Sequence, residues 1–250
     1  MANVTMPNDP AELAAILSSA GFIAAAEEAD ELLARADGHL ELLESLVERR
    51  LTGEPLAWIV GSVSFCGLVI RVDPSVYVPR WQSEPLARRA VERLPATGTA
   101  IDLCTGAGPI ATTMIRNRPG ARVVASDLDA RAVACAAANG VEVYRGDLFA
   151  PLPRHLEGRV DVVVGVVPYV PSDELPLLQR DTFAFESTLA YDGGPGGTEI
   201  LRRGGGLLLE LGGKQADALG EEVARLGYSD LTVLVDADGD VRGIEATLGE

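Results

Sequence analysis

A short glycine loop between a predicted strand and a predicted helix constrains this 250-residue chain more than any other feature. Residues 101–111 read Ile-Asp-Leu-Cys-Thr-Gly-Ala-Gly-Pro-Ile-Ala, which is typical of a buried strand end, a tight turn and a helix start. Glycine has no Cβ and tolerates positive φ, so such a loop lets a ligand approach the backbone closely. The helix behind it offers unpaired N–H groups and the positive end of its dipole. The loop therefore predicts a ligand site, with a ligand-free turn as the alternative.

The strands predicted after this loop lead to further polar or unusual residues. Three of them end just before Asp127, Asp147 and Val166. Open α/β sheets bind ligands at the carboxyl ends of their strands, where these residues are expected to meet. An acid after the second strand suits ribose hydroxyls, although Asp127 could also cap the helix predicted over 130–139. The pattern predicts an α/β sheet with one ligand-binding edge.

Asp102 separates two ligands that such a loop could bind. The spacing Gly106-x-Gly108-x-x-Ala111 fits the dinucleotide pattern, which places a pyrophosphate at the helix N-terminus. A carboxylate just before the glycines disfavours that anion and suits a cationic or amine-bearing ligand. S-adenosylmethionine carries a sulfonium and an α-amino group. The sequence therefore favours this methyl donor over NAD.

Composition and charge argue against several classes of partner. The formal net charge is −16 and the basic residues are dispersed, so nucleic acid is not an expected partner. The longest apolar runs are shorter than the ~18 residues of a membrane span and no signal peptide is visible, which predicts a cytoplasmic protein with no membrane partner. Cys66, Cys104 and Cys135 are scattered, so neither a disulfide framework nor a metal site is expected. The sequence does not indicate an oligomeric state.

Both ends of the chain carry periodic patterns of their own. Apolar spacing predicts helices over 10–19, 24–36 and 40–52, with glycines as their C-caps. Residues 59–72 predict a β-hairpin whose first strand includes Trp58–Val60. Asp238-Gly239 lies between two apolar runs and predicts a second, C-terminal hairpin.

Several motifs resemble class I S-adenosylmethionine-dependent methyltransferases, and more narrowly the protein-(glutamine-N5) methyltransferases that modify peptide-chain release factors. These motifs are Asp-Leu-Cys-Thr-Gly-Ala-Gly at 102–108, Ser-Asp-Leu-Asp at 126–129, Gly-Asp-Leu-Phe at 146–149 and Val-Pro-Tyr-Val-Pro at 167–171. Four further segments resemble landmarks of that family in its order: 54–61, 77–84, 192–197 and 205–212. The resemblance covers nearly the whole chain.

The resemblance implies a particular α/β architecture. It is a Rossmann-like, seven-stranded methyltransferase sheet with an antiparallel C-terminal hairpin, plus a small N-terminal helical domain. The expected divisions are a helical acceptor-binding domain over 1–56, a β-hairpin linker over 57–78 and the methyltransferase domain over 79–250.

The resemblance also assigns residues to two neighbouring sites. S-adenosylmethionine, which leaves as S-adenosylhomocysteine, is expected to contact Asp102, Cys104, Thr105, Gly106, Ala107, Gly108, Asp127, Leu128, Asp147, Leu148 and Val166. Within that set, Asp127 is expected at the ribose and Asp147-Leu148 beside the adenine. The methyl acceptor is expected against Arg80, Trp81, Glu84 and the motif Val166, Val167, Pro168 and Tyr169.

The acceptor motif departs from the family at its first position. The family has Asn-Pro-Pro-Tyr, in which the Asn side-chain oxygen and the next backbone carbonyl accept the two amide hydrogens of the substrate glutamine. Val166 stands in place of that Asn and its side chain can accept nothing. Trp81 and Ser187 replace prolines of two other motifs, and the segment between Gly197 and Gly205 is shorter than the family's helix.

These departures leave three hypotheses open. The chain could methylate a protein side chain, with a release factor as its partner. It could methylate the nitrogen or oxygen of a small molecule, for which an apolar wall would suffice. It could also be a non-catalytic module that binds S-adenosylmethionine.

Overall fold

The computed structural model describes residues 9–168, 170, 172–173, 175, 185–192, 208–210, 223–225, 228–236 and 238–248. The chain divides into two compact units, Met1–Ser62 and Val63–Glu250.

The described part of the first unit is helical. It contains α1 (Pro10–Ser19), α2 (Ala25–Ala36), α3 (Leu40–Leu51) and the short α4 (Leu56–Val60). The first three have bounds within one residue of those that the apolar spacing predicts. Asp9 caps α1 by accepting a hydrogen bond from the Ala11 amide, and Pro10 fits the first helical position. A core of buried leucines joins these helices: Leu13, Leu17, Leu32, Leu43 and Leu46.

A largely buried cation also connects the helices of this unit. The Arg50 guanidinium donates to both oxygens of Glu28 at 2.6 and 3.0 Å and to the Glu54 carbonyl at 3.0 Å. It lies 3.8 Å from the centroid of the Phe22 ring. Arginine suits this place because its planar fork pairs with a carboxylate while its face stacks on an aromatic ring.

The first hairpin is shorter than the sequence predicts. Trp58–Val60 lies in α4, and the strands are β1 (Ser62–Phe65) and β2 (Leu68–Arg71). The prediction of a strand at Trp58–Val60 is therefore wrong, because a short buried apolar run has no periodicity that separates helix from strand. Cys66 and Gly67 form the turn with φ of 50° and 74°, as a two-residue hairpin turn of type I′ requires.

Among its described residues, the second unit contains a sheet with five parallel strands. These are β3 (Thr99–Leu103), β4 (Arg122–Asp127), β5 (Glu142–Arg145), β6 (Val162–Gly165) and β7 (Leu208–Glu210). The hairpin of β8 (Tyr228–Val235) and β9 (Val241–Leu248) adds to β7 in antiparallel fashion. The sheet order is β5-β4-β3-β6-β7-β9-β8. The parallel central sheet and the antiparallel C-terminal hairpin are thus confirmed.

The strand order locates the ligand edge. The chain runs outward from β3 through β4 to β5 and then returns to the other side of β3 at β6. Such a reversal opens a crevice at the carboxyl ends of the strands, where α/β sheets bind ligands. The helix α6 (Pro109–Asn117) connects β3 to β4 and α7 (Ala130–Ala138) connects β4 to β5, while α5 (Glu84–Arg93) precedes β3.

The turn of the C-terminal hairpin is held by one side chain. Asp236 Oδ1 accepts hydrogen bonds from the Asp238 and Asp240 amides, both at 3.0 Å, and Oδ2 accepts from Arg242 at 2.6 Å. Gly239 has a φ of 87°. Within the described ranges, no helix combines the length and the apolar character needed to cross a bilayer.

Candidate functional site

A cavity of about 310 Å³ lies at the carboxyl edge of the parallel sheet, in the second unit. Of the residues that the resemblance assigns to the donor, it is lined by Asp102, Cys104, Thr105, Gly106, Ala107, Asp127, Leu128, Asp147, Leu148 and Val166. Of those assigned to the acceptor, the lining contains Arg80, Val166, Val167 and Pro168. The structure therefore brings most of both sets to one cavity.

The two loop glycines serve different purposes. A Cβ built on Gly106, whose φ is 58°, would meet no atom within 4 Å, so this residue leaves open space in the cavity wall. A Cβ on Gly108, whose φ is 81°, would lie 3.0 Å from Val141 Cγ2 and 3.2 Å from Ala136 Cβ. Gly108 does not line the cavity, and its lack of a side chain instead permits close packing on α7.

Asp127 fastens the glycine loop to the end of β4. Its Oδ2 accepts the Gly106 amide at 2.8 Å and its Oδ1 accepts the Asp129 amide at 2.9 Å. Burial raises the pKa of Asp127, while these backbone hydrogen bonds act in the opposite direction. Asp127 does not cap α7: the cap is Asp129, which accepts the Arg131 amide at 2.9 Å.

Asp102 is buried at the base of the loop. Its Oδ2 accepts hydrogen bonds from Thr105 Oγ1 at 2.6 Å and from the Ala111 amide at 3.1 Å. Burial raises the pKa of Asp102 to about 7, Asp127 adds to that rise, and the two hydrogen bonds oppose it. Both hydrogen bonds from described residues use the same oxygen, which leaves Oδ1 for other partners.

Ser126 also lines the cavity, although the sequence did not assign it to the site. Its hydroxyl donates to the Leu148 carbonyl at 2.7 Å, and Leu148 has a φ of 48°. The Gly146 amide donates to the Asp127 carbonyl at 2.9 Å. These bonds hold the 146–148 loop at the sheet edge. The signal in the sequence was a single hydroxyl residue at the end of an otherwise apolar strand.

A second missed residue, Asn139, connects the first hairpin to the glycine loop. Its Nδ2 donates to the Arg71 carbonyl at 2.9 Å and to the Ala107 carbonyl at 2.8 Å. Its Oδ1 accepts the Arg71 amide at 3.0 Å. The side chain therefore uses its donors and its acceptor to hold two separate segments beside the cavity.

The segment 72–83, called the strap, contributes residues such as Tyr77, Pro79 and Arg80 to the cavity lining. Glu186 anchors this segment. The Glu186 side chain is 1% exposed. It accepts hydrogen bonds from the Val78 amide at 2.8 Å, from Arg80 Nη2 at 2.7 Å and from the Tyr191 hydroxyl. The Tyr77 and Tyr191 rings meet edge to face at 5.5 Å. The sequence pointed only to the neighbouring Ser187, as a departure from the family's motif.

Two residues assigned to the acceptor do not line the cavity. Trp81 is 67% exposed, in a short 3-10 turn over Trp81–Ser83. Glu84 begins α5, where it accepts the Cys66 amide at 2.8 Å and pairs with Arg88 at 2.6 Å. It thereby ties the turn of the first hairpin to the helix. Tyr169 and the segment 193–207 lie outside the described residues.

The Cys104 thiol beside the glycine loop carries no sign of reactivity. Burial raises the pKa of the Cys104 thiol, and the neighbouring carboxylates raise it further, which keeps the thiol protonated. Among the residues that the structure describes, no group of three or more His, Cys, Asp or Glu side chains is arranged to hold a metal ion.

Comparison with known proteins identifies the family. Residues 84–167 match the family model of the methyltransferase small domain. The chain is 33% identical over 227 residues to the release factor glutamine methyltransferase of Geobacter sulfurreducens, covering 84% of this chain and 79% of that protein. It is 35% identical over 231 residues to the protein of the same name from Neisseria gonorrhoeae, covering 85% of this chain and 81% of that one.

A solved structure supports the fold alone. The hMettl16 catalytic domain superposes with a TM-score of 0.54 at 13% identity, covering 84% of this chain and 81% of that chain. The α/β methyltransferase fold and the family resemblance read from the motifs are therefore confirmed. With relatives above 30% identity matched over most of their length, this chain belongs to the release factor glutamine methyltransferase family and is an enzyme of the methyltransferase class.

Proposed function

We propose that this enzyme transfers the methyl group of S-adenosylmethionine to the side-chain amide nitrogen of a glutamine in a peptide-chain release factor. The observation that carries this is the single cavity that contains both the glycine loop and Val166–Pro168 of the acceptor motif. A one-step displacement needs the methyl carbon and the nucleophile held close and in line, which one shared cavity can provide. The names of the relatives supply the acceptor class.

The donor side of the cavity suits S-adenosylmethionine in shape and charge. Gly106 leaves room for close approach, and the lining includes four carboxylates: Asp102, Asp127, Asp129 and Asp147. These favour a ligand with a sulfonium and an ammonium group over one with a pyrophosphate. Asp127 binds the ribose in this proposal, and Asp147-Leu148 flank the adenine. The bound donor supplies an electrophilic methyl group on sulfur.

Donor affinity should rise with pH through the titration of Asp102. Since its pKa is raised to about 7 without ligand, the carboxylate loses its charge below that pH and attracts the donor less. We expect S-adenosylhomocysteine to bind about 10-fold more tightly at about pH 8 than at about pH 6, measured by calorimetry. Asp102→Asn, which keeps an oxygen for Thr105 and Ala111, should flatten this profile. A profile that stays equally steep in the variant would contradict the assignment.

The same titration should appear in stability. The pKa of Asp102 is about 4 in the unfolded chain and about 7 in the folded, ligand-free protein. As the pH rises from about 4 to about 7, this carboxyl therefore increasingly destabilises the folded state. Asp102→Asn removes this penalty, so its free energy of unfolding should exceed that of the wild type near pH 8. The difference should shrink as the pH falls toward 5.

On the acceptor side, the chain keeps part of the expected machinery. The Val167 backbone carbonyl is available to accept one amide hydrogen, while Val166 contributes only an apolar surface. An amide nitrogen is a weak nucleophile, so its orientation matters to the rate. This arrangement supports slow glutamine methylation. The apolar Val166 wall also supports a second candidate function, methylation of a small molecule whose nitrogen or oxygen needs no second acceptor.

The helical unit completes the proposed function. We assign the N-terminal helices to the binding of the protein acceptor, the hairpin of β1 and β2 to a linker, and the rest of the chain to methyl transfer. A release factor acts on the ribosome, so this function places the enzyme in the cytoplasm.

The direct test is to incubate the enzyme with S-adenosylmethionine and a purified bacterial release factor, and to follow glutamine methylation by mass spectrometry. We expect one methyl group on one glutamine, lost when that glutamine is replaced by asparagine. If S-adenosylhomocysteine binds but the release factor stays unmethylated while a small molecule accepts the methyl group, the second function replaces the first.

A further inference from the structure

The lining of the cavity contains more acidic than basic side chains. Among the described residues that line it, Arg80 is the one cationic side chain, and the same lining contains the carboxylates Asp102, Asp127, Asp129 and Asp147. A cation kept in such a lining indicates a negative group on a ligand, because ligand and site charges are arranged to be complementary.

Arg80 is held in place from two sides. Its Nη2 donates to Glu186 at 2.7 Å and to the Tyr191 hydroxyl at 3.3 Å. Its guanidinium carbon lies 5.1 Å from the centroid of the Tyr77 ring. Both of these hydrogen bonds leave from Nη2, so Glu186 and Tyr191 do not engage Nε or Nη1. The side chain is 39% exposed, whereas that of Glu186 is 1% exposed.

The charge of Arg80 is secure in this place. Burial lowers its pKa, but Glu186, Tyr77 and Tyr191 together outweigh burial and raise it. Glu186 is itself held by hydrogen bonds from the Val78 amide of the strap and from the Tyr191 hydroxyl. The guanidinium is therefore preorganised at the cavity wall before any ligand arrives.

The two substrates of the proposed reaction differ in the charges that they bring. The side chain of glutamine is neutral. The methyl donor has two cationic groups and one anionic group, its α-carboxylate. Resting on the proposed function, we propose that Arg80 binds the α-carboxylate of the methyl donor and that Glu186 is the positioning residue that aims it. In this proposal Arg80 belongs to the donor site. The family resemblance had instead assigned it to the acceptor.

The test compares two ligands that differ only by this carboxylate. These are S-adenosylhomocysteine and its decarboxylated analogue, which keeps the adenosine, the thioether and the amine. The wild-type enzyme should bind the first more tightly. In Arg80→Gln the affinity for S-adenosylhomocysteine should fall about 10-fold or more while that for the analogue stays unchanged, since a charge-assisted hydrogen bond is lost for one ligand only. Arg88→Gln, on the exposed face of α5, is the matched control and should change neither.

Glu186→Gln tests the positioning role. This variant keeps the size of the side chain but removes the charge that anchors Arg80. We expect the KM for S-adenosylmethionine to rise several-fold with little change in kcat, and the preference for the carboxylated ligand to shrink. A role of Glu186 in folding alone would weaken both ligands alike.

The outcomes separate this inference from the proposed function. If the wild-type enzyme bound neither ligand, the proposed function would fail. If it bound S-adenosylhomocysteine and Arg80→Gln left the ratio of the two affinities unchanged, only this inference would fail. An unchanged ratio together with a raised KM for the release factor would return Arg80 to the acceptor site.

Discussion

Replacing Val166 with asparagine should raise the rate of glutamine methylation by about 10²-fold. The Asn side-chain oxygen would accept the second hydrogen of the substrate amide, beside the one that the Val167 carbonyl can accept. A single well-placed polar group at a transition state is worth about 2.7–4 kcal/mol, which sets this magnitude. The measurement is kcat/KM for the release factor at saturating S-adenosylmethionine.

Val166→Leu is the matched control for this experiment. Leucine has the branched shape of asparagine but offers no acceptor atom, so its rate should not exceed that of the wild type. The dissociation constant of S-adenosylhomocysteine should stay similar in both variants if they fold alike. An asparagine variant that binds the donor product normally and gains no activity would show that the acceptor does not lie against Val166.

Asp127→Asn should weaken the binding of S-adenosylhomocysteine by about 10²-fold or more. Both oxygens of Asp127 accept backbone amides, from Gly106 and Asp129. An amide side chain has one oxygen, so one of these N–H groups would face an NH₂ group and lose its partner. Charge-assisted hydrogen bonds are worth about 1.5–3 kcal/mol each, and the proposed ribose contact is lost as well. Calorimetry with S-adenosylhomocysteine measures the effect, and methyl transfer should fall with it.

Asp129→Asn gives the comparison. Asp129 lines the same cavity but serves as the N-cap of α7, a role that asparagine fills equally well. The affinity of this variant should stay within about three-fold of the wild type. Equal losses in the two variants would mean that the total negative charge of the cavity matters more than the contacts of Asp127.

The sequence largely predicted which of the residues expected at the donor lie together in the cavity, but it predicted fewer of those expected at the acceptor. The glycine loop, Asp102 and Asp127 lie within one βαβ segment, so short-range geometry places them together once the strands are recognised. The sequence did not decide which aspartate caps α7. Asp129 is the cap because its extended backbone directly precedes the first turn of the helix. Trp81 was expected against the acceptor, but its side chain is exposed. The sequence did not predict the short 3-10 turn that contains it.

The sequence by itself determined the elements whose hydrogen bonds and dihedral preferences are local: the three N-terminal helices, the glycine loop and the C-terminal hairpin with its Asp-Gly turn. It also carried the family's motifs and showed that Val166 departs from them. The tertiary structure alone decided which distant groups meet. Glu186 reaches Arg80 across 106 positions of sequence, and Asn139 reaches Arg71 across 68. Such pairings follow from how strands and loops pack to satisfy buried polar groups, and local patterns do not encode that choice.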